Sequence, residues 1–147
     1  MRLAVVTTAA LMALAGTGQA QSPSSPCALN GLAPAPVQDE IKSAFLAGQY
    51  ETFYRLSTPL ISDASERYSE IIGPLPTLVP TGFADCSTIL RRRDEGGMTQ
   101  EVSLFSLKPP GSGVIALLLV TAPVAGKEQV IFFSYNDKVT QVLSALH

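Results

Sequence analysis

The sequence contains one run of consecutive basic residues, Arg91-Arg92-Arg93, and these side chains are its first candidates for ligand chemistry. Because alternate side chains of a β-strand point to opposite faces, Arg91 and Arg93 are expected to share a face with Ile89. A guanidinium group on a concave surface binds a carboxylate through two parallel hydrogen bonds. Arg91 and Arg93 are therefore candidate anion-binding residues.

A second interpretation of the same arginines stays open. The run adjoins the acidic pair Asp94-Glu95, which lies in a predicted hairpin loop. Charged residues on an exposed edge strand discourage aggregation between strands. If replacing Arg91 and Arg93 left the binding of every tested anion unchanged, the arginines would serve only this protective purpose.

The remaining reactive side chains do not form a catalytic set in the sequence. A serine or cysteine nucleophile needs a base within reach, and the sole histidine is the last residue, His147. A chain terminus is a poor place to hold an imidazole ring. The sequence also has no glycine-rich phosphate loop between a predicted strand and a predicted helix. We therefore predict no catalytic residue and no cofactor.

Cys27 and Cys86 are the only cysteines of the sequence. In an exported protein the oxidising environment favours a disulfide between them. Metal binding is the alternative, but two distant cysteines and one histidine are a poor ligand set, so we expect no metal. The bridge would tie the N-terminal arm to the start of the sheet. The chain-entropy model gives about 4 kcal/mol for a loop of that length.

Residues 1–20 have the three parts of a secretory signal. Arg2 provides the basic start, residues 3–15 form an apolar run, and Gly18-Gln19-Ala20 is a small-residue exit. The apolar run is shorter than the roughly 20 residues that span a bilayer. We expect cleavage after Ala20, a secreted or periplasmic destination and no membrane span afterwards, with an uncleaved anchor as the alternative.

Residues 21–36 contain four prolines, which is typical of a linker or an extended arm. Residues 37–147 are predicted to form a single domain, since 147 residues is one domain by length. Charged residues make up 15% of the chain and its formal net charge is −2. A nucleic-acid surface needs a clustered basic excess, so nucleic acid is not an expected partner.

The apolar pattern predicts three helices followed by an antiparallel sheet. Helices are expected over 37–47, 50–60 and from residue 62 or 63 to 72. A strand pair over 87–93 and 99–107 follows, and the strongly apolar runs 114–121 and 130–135 are expected to be central strands. Residues 139–146 fit a helix or a strand, and we choose a strand because the tight Asn136-Asp137 turn directly follows a strong strand. The predicted fold is α+β with a curved meander of about five strands.

The segment 44–54, which reads Ala-Phe-Leu-Ala-Gly-Gln-Tyr-Glu-Thr-Phe-Tyr, and Leu56-Ser57-Thr58-Pro59 after it resemble the opening helices of the NTF2-like, or cystatin-like, superfamily. The hairpin over 132–139 is similar to its closing strands. The resemblance implies an α+β roll in which helices pack into the concave side of a curved sheet. It also implies a pocket between helices and sheet that binds small molecules. In some members a pocket Tyr, Asp or Arg takes part in isomerase, dehydratase or hydrolase chemistry.

Tyr50 and Tyr54 are the candidate ligand-binding residues that this resemblance indicates. A buried phenol can orient a carbonyl group by hydrogen bonding. The alternative is that both rings belong to the core and only their hydroxyl groups reach polar surroundings.

We therefore expect a small exported binding or interaction module of the cell envelope, with an unknown small molecule or protein as partner. A pocket enzyme acting on a small molecule is the alternative. A third possibility is a structural domain that forms a homodimer through an open sheet face. A deep cavity with converging tyrosine, arginine or carboxylate groups would favour the enzyme, and a space filled by phenylalanine and leucine would favour partner binding.

Overall fold

The computed structural model describes Cys27 and residues 33–146. Within these residues the fold is α+β, as predicted, with helices followed by an antiparallel sheet. The predicted signal (1–20), most of the predicted linker (21–36) and His147 lie outside the described residues, and those interpretations stay predictions.

Within the described residues, four helices precede the sheet and one follows it. The elements in chain order are α1 (Pro36–Leu46), α2 (Tyr50–Ser57), α3 (Ala64–Ile72), α4 (Leu75–Leu78), β1 (Asp85–Arg93), β2 (Thr99–Ser106), β3 (Val114–Val124), β4 (Lys127–Asn136) and α5 (Val139–Leu143). Within the described part of the chain, no helix has both the length and the apolar character needed to cross a membrane.

The sheet is a meander in the order β1-β2-β3-β4, and every pair is antiparallel. The predicted hairpin loop between β1 and β2 is present. Its turn is held by the amide of Asp94, which donates to the carbonyl of Met98 at 3.0 Å, and by the amide of Met98, which donates to Asp94 Oδ1 at 2.9 Å. The sheet therefore has two edge strands, β1 and β4.

The predicted fifth strand over 139–146 is wrong, because α5 occupies this part of the chain. Asn136 Oδ1 accepts a hydrogen bond from the amide of Lys138 at 2.8 Å, which turns the chain without reversing it into a hairpin. Helical spacing then brings Val142 into the core beside Val139 and Leu146. The described sheet thus has four strands, and the prediction that 130–135 is a central strand is wrong, because without a fifth strand β4 is an edge.

The two faces of the sheet are covered differently. On one face, called the helix face here, Phe105, Leu117 and Leu119 pack under α1 to α4. On the other, called the outer face, α5 lies over the sheet and buries Val142. The outer-face residues of the sheet that are buried in this cluster are Val102, Ala116, Leu118 and Val120. Because both faces are covered, β3 is apolar at nearly every position.

Phe45, on α1, is the centre of the helix-face core. Its ring lies 4.6 Å from that of Phe53, 5.0 Å from that of Phe83 and 4.8 Å from that of Phe105, measured between ring centroids. These side chains are almost completely buried. The space between helices and sheet is therefore occupied by packed aromatic rings.

The turn between α1 and α2 is held against the segment before β1 by two glycines with positive φ, Gly48 and Gly82. A Cβ atom on Gly48 would lie 2.6 Å from the amide nitrogen of Gly82, so only glycine allows the two backbones to approach. The amide of Phe83 donates to the carbonyl of Leu46 at 2.8 Å across this contact. The contact fixes where α2 begins.

The predicted disulfide is present between Cys27 and Cys86, whose Cα atoms are 4.8 Å apart. Cys27 also forms a parallel bridge with Ser87 of β1. The disulfide and this bridge place Cys27 beside the free edge of β1.

Candidate binding site

The predicted ligand residues Tyr50 and Tyr54 are both buried on α2, and their hydroxyl groups are already bonded to backbone. The hydroxyl of Tyr50 donates to the carbonyl of Val79 at 2.6 Å, and that of Tyr54 donates to the carbonyl of Ala64 at 2.7 Å. These bonds join α2 to α4 and to the start of α3. In this arrangement both tyrosines connect helices.

Burial also keeps these phenols neutral. Desolvation, with a smaller contribution from Tyr135, raises the pKa of Tyr50 to about 12. Desolvation likewise raises the pKa of Tyr54. A general base near neutral pH needs a pKa close to 7, so neither phenol is suited to that role.

Arg91, the third predicted ligand residue, lies in a buried group of charges under α1. Its guanidinium pairs with the carboxylate of Glu101 and donates to the carbonyl of Ala33 at 2.7 Å. Glu101 also binds the ammonium of Lys42, with 2.5 Å between Oε1 and Nζ, and Lys42 Nζ lies 3.1 Å from Asp39 Oδ1. Two cations and two carboxylates thus balance one another, and we call these four residues the ion cluster.

The ion cluster is closed to solvent at its centre. Lys42 is 0% exposed and Glu101 is 1% exposed. Thr88 adds a hydroxyl group that lies 3.2 Å from Lys42 Nζ and donates to the carbonyl of Cys27 at 2.5 Å. Charges buried this way must be paired, and removing one partner is costly. The cluster joins α1 to β1 and β2, and its hydrogen bonds also hold the backbone of Cys27 and Ala33.

A β-bulge at Ile89 brings Thr88 and Arg91 to the same carboxylate. Thr88 pairs with Ser103 and Leu90 pairs with Val102, so Ile89 is the extra residue. The predicted alternation, in which Arg91 follows the face of Ile89, assumed an unbroken strand. The bulge interrupts this alternation, because one added residue reverses the face of the sheet to which the preceding side chains of the strand point.

The fourth predicted ligand residue, Arg93, is exposed near the hairpin and lies opposite Thr99 in the β1–β2 pairing. Arg92 donates to Gln100 Oε1 at 3.0 Å. The four predicted residues therefore do not converge: the tyrosines connect helices, Arg91 is inside the ion cluster, and Arg93 is at the surface.

The sequence analysis missed the buried polar residues of α1. Gln38 and Lys42 occupy the same helical stripe as Ile41 and Phe45, at spacings of three and four residues. Gln38 Nε2 donates to Thr121 Oγ1 at 2.6 Å. The spacing was readable in the sequence, but the partners on β2 and β3 were not.

Besides a groove of about 390 Å³ at the start of α2, lined by Gly48, Gln49, Tyr50, Glu51, Thr52, Tyr68 and Pro76, two surface grooves are candidate binding sites. The larger, of about 770 Å³, lies between α2 and α3 and is lined by Glu51, Thr52, Tyr54, Arg55, Thr58, Pro59, Ala64, Ser65 and Tyr68. Its buried hydroxyl groups are already used, because Tyr54 donates to Ala64 and Thr58 Oγ1 donates to the carbonyl of Tyr54 at 2.7 Å. This groove offers a ligand few unused buried polar groups.

The second groove, called the β4 groove here, has about 360 Å³ and lies between the α2–α3 connection and the edge strand β4. It is lined by Ser57, Thr58, Leu60, Ile61, Arg67, Ile71, Val130, Ile131, Phe132 and Phe133. Leu60, Ile131 and Phe132 are 50%, 45% and 48% exposed. Large apolar side chains grouped at a groove mark an interaction site more strongly than single exposed ones do.

Local backbone features create the β4 groove. The sequence predicts α2 as far as residue 60, but the helix ends at Ser57, two residues before Pro59. The residue before a proline is driven away from helical geometry, so the chain leaves the helix and Leu60 stays exposed. On the opposite wall a second bulge, between Val130 and Phe132, leaves Ile131 without a partner on β3.

Two polar side chains lie among these apolar walls. Ser57 is 3% exposed, and its hydroxyl group has no hydrogen-bond partner within the described part of the chain. An unsatisfied buried hydroxyl costs about 1 to 3 kcal/mol. Arg67 is 43% exposed in its side chain, and its Nε lies 3.6 Å from Glu70 Oε2. The guanidinium is therefore only loosely engaged.

The chain matches no family model, no curated protein and no solved structure. The resemblance to the NTF2-like superfamily therefore stays a prediction from sequence. Across Cys27 and residues 33–146, no three His, Cys, Asp or Glu side chains are grouped so as to hold a metal ion.

Proposed function

We propose that this protein is a small exported binding module of the cell envelope, and that the β4 groove is its recognition site. The observation that carries the proposal is the contrast between two spaces. The space between helices and sheet is filled by Phe45, Phe53 and Phe105, whereas the β4 groove leaves Ile131 and Phe132 open to solvent. Exposed apolar walls around a hydroxyl without a partner favour capture of an apolar ligand.

The alternative of a pocket enzyme has less support. It needs an open cavity in which tyrosine, arginine or carboxylate groups converge. Tyr50 and Tyr54 donate to backbone carbonyl groups, and Arg91 is paired with Glu101. The groups that the NTF2-like resemblance would make catalytic are thus occupied in holding the fold.

The NTF2-like assignment and the exported destination belong to the same proposal. Helices on one face of an antiparallel meander support the first. The bond between Cys27 and Cys86 supports the second, because disulfides persist in oxidising compartments.

Fluorescence titration with N-phenyl-1-naphthylamine, an uncharged apolar probe, tests the proposed site. We expect the purified protein to bind the probe and Phe132→Ser to weaken binding about tenfold. The reason is that burying an aromatic side chain is worth roughly 1.5 to 3 kcal/mol when complete, and Phe132 is about half exposed.

Leu78→Ser is the matched control, because Leu78 is a 71% exposed leucine on α4 that does not line the groove. It should leave the probe affinity unchanged. Equal affinities of the wild-type protein and Phe132→Ser would contradict the proposal. A mass by size exclusion that doubles with concentration, and a doubling abolished by Phe132→Ser, would show that a second copy occupies the groove instead.

A further inference from the structure

We propose that the ligand of the β4 groove is an anionic amphiphile, a linear alkyl chain that ends in a carboxylate, with the chain along the apolar walls and the carboxylate at Arg67 and Ser57. This inference rests on the proposed function and adds the chemical class of the ligand. The juxtaposition that carries it is a cation and a hydroxyl without a partner within one apolar groove.

The charge of the groove selects the head group. Of the residues that line it, Arg67 alone carries a charge at neutral pH. Its neighbour Glu70 is held at 3.6 Å, longer than a hydrogen bond, and the two side chains are 43% and 73% exposed. A carboxylate can therefore displace or share this weak pair and bind the planar guanidinium at two points.

Ser57 supplies a donor that the fold itself leaves unused. Its hydroxyl oxygen is buried and has no partner among the described residues, whereas the neighbouring Thr58 hydroxyl donates to Tyr54. A hydroxyl can donate its proton to a carboxylate oxygen. The ligand would thus satisfy a group that is otherwise unpaired.

The walls select the body of the ligand. Leucine, isoleucine, valine and phenylalanine side chains form most of the lining, and the volume of about 360 Å³ is at the low end of the roughly 300 to 1,000 Å³ typical of small-molecule sites. These walls offer dispersion contacts along their length and no second charge. A single alkyl chain suits this lining better than a ligand with polar groups along its body.

The bulge at Ile131 argues against a peptide strand as the occupant. Strand addition needs a regular row of amide and carbonyl groups along the edge of the sheet. Val130 pairs with Thr121 and Phe132 with Val120, so the regular pairing is interrupted beside the groove. An alkyl carboxylate needs no such row.

Calorimetric titration with decanoate and with 1-decanol tests the inference, because the two probes share a chain and differ in charge. We expect the wild-type protein to bind decanoate about fivefold more tightly, the range that a partly exposed ion pair provides. Arg67→Gln should abolish this preference and leave the affinity for 1-decanol unchanged. Ser57→Ala should weaken decanoate binding more than 1-decanol binding, because a hydrogen bond to a charged acceptor is the stronger of the two.

Arg55→Gln is the control, since Arg55 is an exposed arginine that lines the other groove. It should leave the affinities for both probes unchanged. Equal wild-type affinities for decanoate and 1-decanol, or a preference that survives Arg67→Gln, would overturn the inference. In that case weaker N-phenyl-1-naphthylamine binding by Phe132→Ser would still support the proposed function, so the two failures are distinguishable.

Discussion

Strands β1 and β4 are the two edges of one sheet, and the residues that surround them differ. Beside β1 lies Cys27, bonded to Cys86 and bridged to Ser87. Arg91, on β1, pairs with Glu101, on the neighbouring strand β2, in the ion cluster.

Strand β1 exposes one large apolar side chain, Ile89, whereas β4 exposes two adjacent ones, Ile131 and Phe132, which line the β4 groove. Exposed apolar edges promote aggregation and proteins usually protect them, so this adjacent pair beside a groove supports the proposed recognition site.

The largest expected effect concerns the β1 edge, which the disulfide holds. Replacing both Cys27 and Cys86 by serine should lower the free energy of unfolding by about 4 kcal/mol, because the bridge spans a sequence separation of 59 residues and restricts the unfolded chain. Urea unfolding measures the loss. The affinity of the β4 groove for N-phenyl-1-naphthylamine should not change, and a weaker affinity would show that the two edges are not independent.

Neutralising Glu101 should cost somewhat less. Glu101→Gln keeps the shape of the side chain but leaves the buried Lys42 and Arg91 with one carboxylate, from Asp39. We expect a loss of about 3 kcal/mol in the free energy of unfolding. Glu95→Gln, in the exposed hairpin loop, is the control and should stay within about 0.5 kcal/mol. Similar stabilities for the two variants would mean that the ion cluster does not hold the β1 edge.

Alkaline pH should loosen the link between β4 and α3. The Tyr135 hydroxyl donates to the carbonyl groups of Ile71 and Ile72 at 2.5 and 2.9 Å. Burial, with a smaller contribution from Tyr68, raises the pKa of Tyr135 to about 12, and the pKa of Tyr50 is also about 12. A raised pKa favours the protonated folded state. Stability should be complete below about pH 10 and fall as the pH rises to 12.

For the well-buried Tyr50, the expected loss in the free energy of unfolding between pH 10 and 12 is on the order of 2 kcal/mol. Unfolding measured by circular dichroism, with phenolate formation followed by ultraviolet absorbance, checks it. Tyr135→Phe should flatten the fall between pH 10 and 12 if it comes from the link between β4 and α3, and Tyr50→Phe should do so for the bond to Val79. An unchanged pH profile in both variants would assign the alkaline loss to other groups.

The smallest effect is expected at the open edge. Ile131→Lys should change the free energy of unfolding by no more than about 0.5 kcal/mol, because Ile131 is 45% exposed and its position on the bulge has no strand partner. Val102→Lys, at a fully buried position of the outer face, should unfold the protein. A large loss for Ile131→Lys in thermal unfolding would show that the open edge contributes to stability.

The structural features that depend on short local patterns were predicted correctly from the sequence. The unbroken apolar runs of β3 and β4 identified two strands, and Cys27 and Cys86 identified the disulfide. The prediction of a strand over 139–146 was wrong because Val139, Val142 and Leu146 suit either a helix or a strand. The choice between them depends on the outer face of the sheet, which α5 covers. A structural preference that comes from tertiary packing cannot be detected in a short stretch of sequence.

The candidate site was harder to predict than the fold. The β4 groove depends on α2 ending at Ser57 and on a bulge at Ile131, and neither follows from periodicity. The ion cluster joins Lys42 to Glu101 across distant parts of the sequence, so these two residues look like ordinary surface charges in the sequence. Pro59 was the one readable signal, since it limits the preceding helix.

Helix α5 has a consequence for the order in which the protein is made. Helix α5, which follows all four strands in the sequence, supplies the cover for Val102, Leu118 and Val120. Domains fold as units, largely as their segments become available during synthesis. The outer face of this sheet therefore stays uncovered until α5 has been synthesised, after all four strands.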